Sequence, residues 1–252
     1  MKKSADKGHN RSIEYYGDLL YRGYGSKHDK KDAAKYLRIA ANAGVLHSMN
    51  IYGKTLLFGY KIRKNVKEGQ KYLKRSADLG NVDSMFYYAK SQLKSNKKEA
   101  FKYFQIAAEK GEPRSNYECG KILCLEKEDL SKKFKAIYHF NHSSLWWYTE
   151  SKSLFRLGEI YFDVDDDDIK KTGLRLLKMA AEEGNRKAKL KYGILLLKGN
   201  ETSQNIKQGL YYIMSWFFDY IDDEKNIKKI LKVLFSIIIL DLLFLTILLT
   251  FF

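Results

Sequence analysis

The sequence predicts an all-α solenoid of about six helix pairs followed by one transmembrane helix. Three observations carry that expectation. A unit near 36 residues recurs along most of the 252-residue chain, which is the signature of stacked supersecondary repeats. The chain holds a single proline, against an ordinary share of roughly 5 %, and this suits long uninterrupted helices. Residues 233–252 read VLFSIIILDLLFLTILLTFF, with sixteen apolar residues among the twenty.

The repeat is read from a recurring marker. KKSADKG ends at Gly8 and returns as LKRSADLG ending at Gly80, with IAANAG ending at Gly44, IAAEKG at Gly111 and MAAEEG at Gly184. The steps are 36, 36, 31 and 73 residues, and the last holds a degenerate copy in which Ser143-Ser144 replace the alanine pair and Trp147 the glycine. Four residues after each marker stands a small residue: Ser12, Ser48, Ser84, Ser115, Ala188, and Ser153 in the degenerate copy. Nine residues after it stands another: Gly17, Gly53, Ala89, Gly120, Gly193 and Gly158. Leucines and isoleucines follow, and Gly23, Gly59 or Gly199 is placed to end the first helix.

The second helix carries Tyr36-Leu37, Tyr72-Leu73, Tyr103-Phe104 or Leu176-Leu177. A small pair comes next: Ala40-Ala41, Ser76-Ala77, Ala107-Ala108 or Ala180-Ala181. Small residues at matching places let helix backbones approach while large ones fill the grooves beside them. The marker glycine falls where the chain must reverse, a place that favours left-handed backbone angles. Neither helix of a copy hides its apolar face alone, so stacking buries one continuous core.

These residues resemble the Sel-one-like repeat family, whose unit reads roughly A-x-x-x-L-G-x-x-Y-x-x-G and then A-x-x-W/Y-h-x-x-A-A-x-x-G. The copy from SMNIYGKTLLFG to KEGQKYLKRSADLG fits best, and the likeness extends over about Met1 to Tyr220. The resemblance implies a right-handed alpha-alpha superhelix with a concave binding face, a protein partner on that face, and no chemistry. Tetratricopeptide repeats match less well, because their 34-residue unit ends in proline. Cysteines that cross-link helix pairs in some secreted relatives have no counterpart here. The chain opens inside a second helix; an uncapped solenoid end exposes apolar surface, so a shortened N-terminus or a covering partner is expected.

At 1.5 Å per residue, the C-terminal twenty residues span about 30 Å, the thickness of a bilayer core. Sixteen apolar residues at roughly −0.3 to −0.6 kcal/mol outweigh one aspartate at about +3 kcal/mol. The expected division is a solenoid over 1–220, a charged juxtamembrane linker over 221–229 and a transmembrane helix over 230–252. Lys225, Lys228, Lys229 and Lys232 precede the span and favour a cytoplasmic N-terminal side. MKKSADKGHN contains no apolar signal region, so the expectation is a tail-anchored protein with cytosolic repeats. A signal peptide upstream of Met1 would instead place the repeats in a lumen, with Asn10, Asn141 and Asn200 in glycosylation sequons. Asp241, near mid-span, is the candidate contact to a polar group on a partner helix.

Catalytic and metal motifs are weak. The run from Asp163 to Asp168 lacks the glycine and late glutamate of a calcium loop, and reads as a solvated loop that caps the next helix. His139 and His142 share one helical face without cysteine or carboxylate companions. Cys119 and Cys124 read as packing residues of one helix, too few for a disulfide framework. No nucleotide, hydrolase or zinc-protease signature occurs, so no cofactor or metal is assigned and no enzyme is expected.

The net charge of +16 attracts acidic surfaces in general. Lysines such as Lys27, Lys30, Lys31, Lys35, Lys94, Lys97, Lys98 and Lys102 fall on outward faces and loops, so nucleic acid is not the expected partner. The leading expectation is a membrane-anchored adaptor that presents a protein-binding solenoid. By family resemblance it serves endoplasmic-reticulum-associated degradation or signalling, since one family member beside a membrane ubiquitin ligase joins such repeats to a C-terminal membrane helix. The alternative is a basic array that binds RNA or anionic lipid.

Overall fold

The computed structural model describes residues 2–6, 9–22, 29–60, 62–125, 129–146, 149–199 and 205–221. These residues form thirteen helices and no strand. They divide into two compact units, residues 1–143 and 144–252.

In the first unit, α1 (Lys2–Asp6), α3 (Asp29–Asn42), α5 (Val66–Asp78), α7 (Lys97–Glu109) and α9 (Leu130–Ser144) are second helices of successive copies. Between them run the first helices α2 (Asn10–Arg22), α4 (Leu46–Phe58), α6 (Val82–Gln92) and α8 (Pro113–Leu123). The second unit repeats the alternation with α10 (Glu150–Phe162), α11 (Asp167–Glu182), α12 (Arg186–Lys198) and α13 (Ile206–Ile221).

One turn joins the copies. Gly44, Gly80, Gly111 and Gly184 have φ of 92°, 98°, 84° and 81°, a region that β-carbons make costly. At Gly80 the glycine N–H donates to the Ala77 carbonyl and the next N–H, of Asn81, to Ser76. The same two bonds recur after Gly44, Gly111 and Gly184, so the open carbonyls of each second helix are closed by a Schellman-type pair. The residue after the glycine then starts the next helix: Asn81 accepts from Ser84 N, Glu112 from Ser115 N and Asn185 from Ala188 N. Asn65 and Asn96 cap α5 and α7 and also reach Glu68 and Glu99, a reciprocal cap three residues apart. Gly59 and Gly199 end α4 and α12 in the left-handed region.

Inside each copy a knob meets a hole. β-carbons built on Gly17, Gly53 and Gly158 would stand 2.8–3.2 Å from the side chains of Leu37, Leu73 and Leu177, and one on Gly120 would meet Phe140 at 2.7 Å. Those four knobs are 0 % exposed, each worth about 1.5–3 kcal/mol relative to water. A second glycine, on the partner helix, completes the approach. A β-carbon on Gly69 would stand 2.8 Å from the Gly53 carbonyl, and one on Gly173 2.5 Å from Phe162 N. Gly69, Gly173 and Gly209 all sit at the same place in their copies, a spacing in the sequence from which they are also readable.

Ala40, Ala41, Ala107, Ala180 and Ala181 are at most 1 % exposed, whereas Ala108 is half-buried. α8 ends at Leu123, so Cys124 is its capping residue rather than a helical neighbour of Cys119. Asp166 accepts from Asp168 N and Ile169 N and so starts α11. Among the described residues no helix is long and apolar enough to cross a membrane. Gly8, Gly23, Trp147, Asn200 and residues 222–252, which include Asp241 and the expected span over 230–252, lie outside the described residues. α13 ends at Ile221, the first residue of the expected linker over 221–229, and the other residues of that linker lie outside the described residues.

Candidate interaction surface

Along one side of the first unit, α4, α6 and α8 place polar and aromatic groups in register. Asp83, three residues after its marker, is the hub. Its carboxylate accepts from Lys54 Nζ at 2.7 Å, Asn50 Nδ2 at 2.9 Å and Arg114 Nη2 at 2.8 Å, so it ties three consecutive copies together. Burial alone would raise the Asp83 pKa, but the hydrogen bonds from Lys54, Asn50 and Arg114 outweigh it and hold it below the usual carboxylate range.

Arg114 also donates to Glu112 at 2.5 Å. Its guanidinium lies 4.2 Å from the Phe86 ring centroid and 5.4 Å from that of Tyr87. Lys54 stands 5.0 Å from the Tyr87 ring, and Phe58 packs edge-on against Tyr87 at 5.7 Å. Phe58 remains 56 % exposed. The result is an aromatic strip whose cations are already paired internally. One copy earlier Asp18 stands in the place of Lys54 and faces His47 at 3.5 Å.

The opposite, second-helix side carries a regular ladder. Tyr36 donates to Asp6, Tyr72 to Asn42 at 2.6 Å and Tyr103 to Asp78, each to the corresponding residue of the preceding copy. The hydrogen bond to Asp6, with burial, pushes the Tyr36 pKa up to about 12. In the second unit burial and the charge of Glu182 do the same to Tyr212.

The ladder changes at α9. His139 stands where the tyrosine is expected, and its Nδ1–H donates to Asn116 Oδ1 at 2.9 Å rather than reaching Glu109. The place of the absent rung is a cleft of about 320 Å³ lined by Gln105, Ala108, Glu109, Asn116, Lys135, Tyr138, His139 and His142. Burial and the neighbouring His142 lower the His139 pKa. The helical spacing of the two histidines is legible in the sequence; the cleft is not, because α7 and α8 form half of it. Among the described residues no group of three histidines, cysteines or carboxylates is arranged to hold a metal ion. Cys119 is fully buried, and burial pushes its thiol pKa up to about 12, which leaves it unreactive.

A search of curated proteins finds no match. Among solved structures, the chain is similar to a protective antigen of uropathogenic Escherichia coli that displays an SLR fold, at TM-score 0.74 and 20 % identity. That likeness covers 85 % of this chain and 47 % of the antigen, so the chain spans about half the length of that relative. It is also similar to a Sel1 repeat protein from Oxalobacter formigenes, at TM-score 0.67 and 18 % identity over 82 % of this chain and 85 % of that one. Both likenesses show the fold. The Sel1 repeat model matches residues 11–45, 46–81, 84–112, 151–185 and 186–213. The degenerate copy around Ser143-Ser144 falls between those segments, although its Gly120–Phe140 contact follows the same geometry. With five matched repeats over well more than half of its length, and with their glycine turns and knob-into-hole glycines in place, the chain belongs to the Sel1 repeat family.

Proposed function

We propose that this chain is a non-catalytic, membrane-anchored adaptor that binds a protein partner along α4, α6 and α8. The observation that carries this reading is the aromatic strip of exposed Phe58 and half-buried Tyr87, set beside the Asp83 hub that joins three copies. Aromatic anchors on a rigid scaffold are the common core of protein-binding surfaces. The concave face of the solenoid is the side assigned to the first helices in this reading. The internal pairing of Lys54 and Arg114 argues against a bare cationic track for nucleic acid.

Residues 233–252 supply the membrane attachment in this proposal, with the repeats on the cytosolic side and the endoplasmic reticulum as the membrane. A degradation or signalling assembly is the proposed client class. Asp241 is assigned a contact with a partner helix in the membrane.

The test is a photoreactive residue at Phe58 in the full chain, with a control at the exposed Lys98. A discrete protein adduct at Phe58 and none at Lys98 is expected. A nuclease-sensitive adduct would establish the RNA-binding alternative, and equal labelling at both positions would overturn the surface. Protease protection of an N-terminally tagged chain on intact microsomes, read with a glycosidase shift, tests the topology: loss of the tag without a shift is expected, and protection with a shift reverses it.

A further inference from the structure

α13 keeps the inward register of the other second helices and discards their outward one. Its inner contacts repeat those of α5. Tyr212 meets Tyr192 edge-on at 5.2 Å, as Tyr72 meets Tyr52 at 5.1 Å. Ile213 fills the hole at Gly193 as Leu73 fills that at Gly53. This fixes which residues of α13 correspond to which residues elsewhere.

The outward positions nine, six and two residues before the marker are polar in the other regular copies. They are Lys35, Arg38 and Asn42 in α3, and Lys71, Lys74 and Asp78 in α5. They are Lys102, Gln105 and Glu109 in α7, and Arg175, Lys178 and Glu182 in α11. The degenerate α9 is mixed, with Tyr138, Asn141 and Leu145. In α13 the three positions are Tyr211, Met214 and Phe218, exposed by 67 %, 54 % and 57 %. The small pair that accepts the next copy is replaced as well, by Trp216-Phe217, and the marker glycine by Tyr220. A further repeat therefore cannot pack on α13 as α6 packs on Ser76-Ala77. Nor does this face suit water.

We propose that α13 lies against the lipid headgroup–acyl boundary, with Tyr211, Met214, Phe217 and Phe218 inserted. This inference rests on the membrane-anchor reading of residues 233–252. Only residues 222–232 separate α13 from that segment, a reach of about 16 Å if helical and about 37 Å if extended. The helix is therefore held within a short distance of the bilayer. Tyrosine and tryptophan beside large apolar groups are the mixture that the interface favours. The basic residues Lys225, Lys228, Lys229 and Lys232 follow directly and add attraction to anionic lipid. The segment 233–252, with sixteen apolar residues among its twenty, gains nothing from covering α13 that lipid does not also provide.

The experiment uses the full chain in vesicles of mixed phosphatidylcholine and phosphatidylserine. A single nitroxide is placed on cysteines introduced at Tyr211, Met214, Phe218, Arg175 or Ile238, with Cys124→Ser and the buried Cys119 left in place. Oxygen collisions several-fold above those of a water-soluble nickel chelate are expected at 211, 214, 218 and 238, with the reverse at 175. Water-like values at 211, 214 and 218 with lipid-like values at 238 overturn the inference and leave the anchor intact. Protection of 211, 214 and 218 from both reagents means that protein covers them, either a second copy or a partner, and also overturns it. Water-like values at 238 overturn the anchor reading itself. The triple variant Tyr211→Arg, Met214→Lys and Phe218→Glu restores the residues of α11. It is expected to keep the helical content and the anchoring while a label at Leu210 turns from lipid-like to water-like; an unchanged label at Leu210 overturns the inference.

Discussion

The two sides of the first unit obey different rules. On the second-helix side the same contact recurs with the same chemistry as far as α7: Tyr36, Tyr72 and Tyr103 each donate to an acidic or amide group of the preceding copy. On the first-helix side the register recurs but the chemistry does not. Asp18 faces His47, then Lys54 faces Asp83, and Arg114 turns back to the same Asp83. A position held to one chemistry across copies is set by stacking. A position free to change sign is not required for stacking, and is therefore open to recognition.

The largest test of that contrast lies between helices of one copy. Gly69→Ala places a methyl 2.8–2.9 Å from backbone atoms of Gly53 and Leu57, neither of which can rotate away. A loss of about 3 kcal/mol is expected from denaturant titration. Gly80→Ala, in open space with φ of 98°, carries only the left-handed penalty of about 1–2 kcal/mol.

On the ladder, Tyr103→Phe removes the hydroxyl from Asp78 and is expected to cost about 1 kcal/mol in the same assay. Across the array, Asp83→Asn should cost less, about 0.5 kcal/mol, because the hub is partly solvated and screened. Its signature is pH dependence. The folded pKa of Asp83 is depressed, so its contribution is present above the unfolded value near 4 and fades as pH falls through the lower folded value. The Asn variant should lose that acid-side slope. If Asp83→Asn instead unfolds the protein, the first-helix side is structural and the contrast between the two sides fails.

His139 tests the changed rung. Its folded pKa is lowered, so folding favours the neutral form; stability is full above the unfolded value near 6.5 and falls as pH drops through the lower folded one. His139→Gln should flatten stability over that window, measured by melting at stepped pH. The smallest effect is expected at the surface pair Lys171–Asp168, whose side chains are 69 % and 91 % exposed. Lys171→Ala should leave the melting curve unchanged.

Much of the fold is legible because each contact that builds it lies within one or two repeat units. The marker glycines, the knob residues Leu37, Leu73 and Leu177 and their facing glycines follow from spacing alone, since one backbone geometry recurs and needs the same residue type each time. The asparagine caps at 65, 81, 96 and 185 were equally readable, from their place just ahead of each helix. The rest depends on which side chains meet between copies. Asn50 to Asp83, Arg114 to Asp83 and His139 to Asn116 join residues 23–33 apart on helices whose relative rotation no local pattern specifies. The cleft beside His139 exists because an imidazole turned toward Asn116 leaves the space that a tyrosine ring fills elsewhere. The period was written in the chain; the partner of each charged side chain was settled by packing.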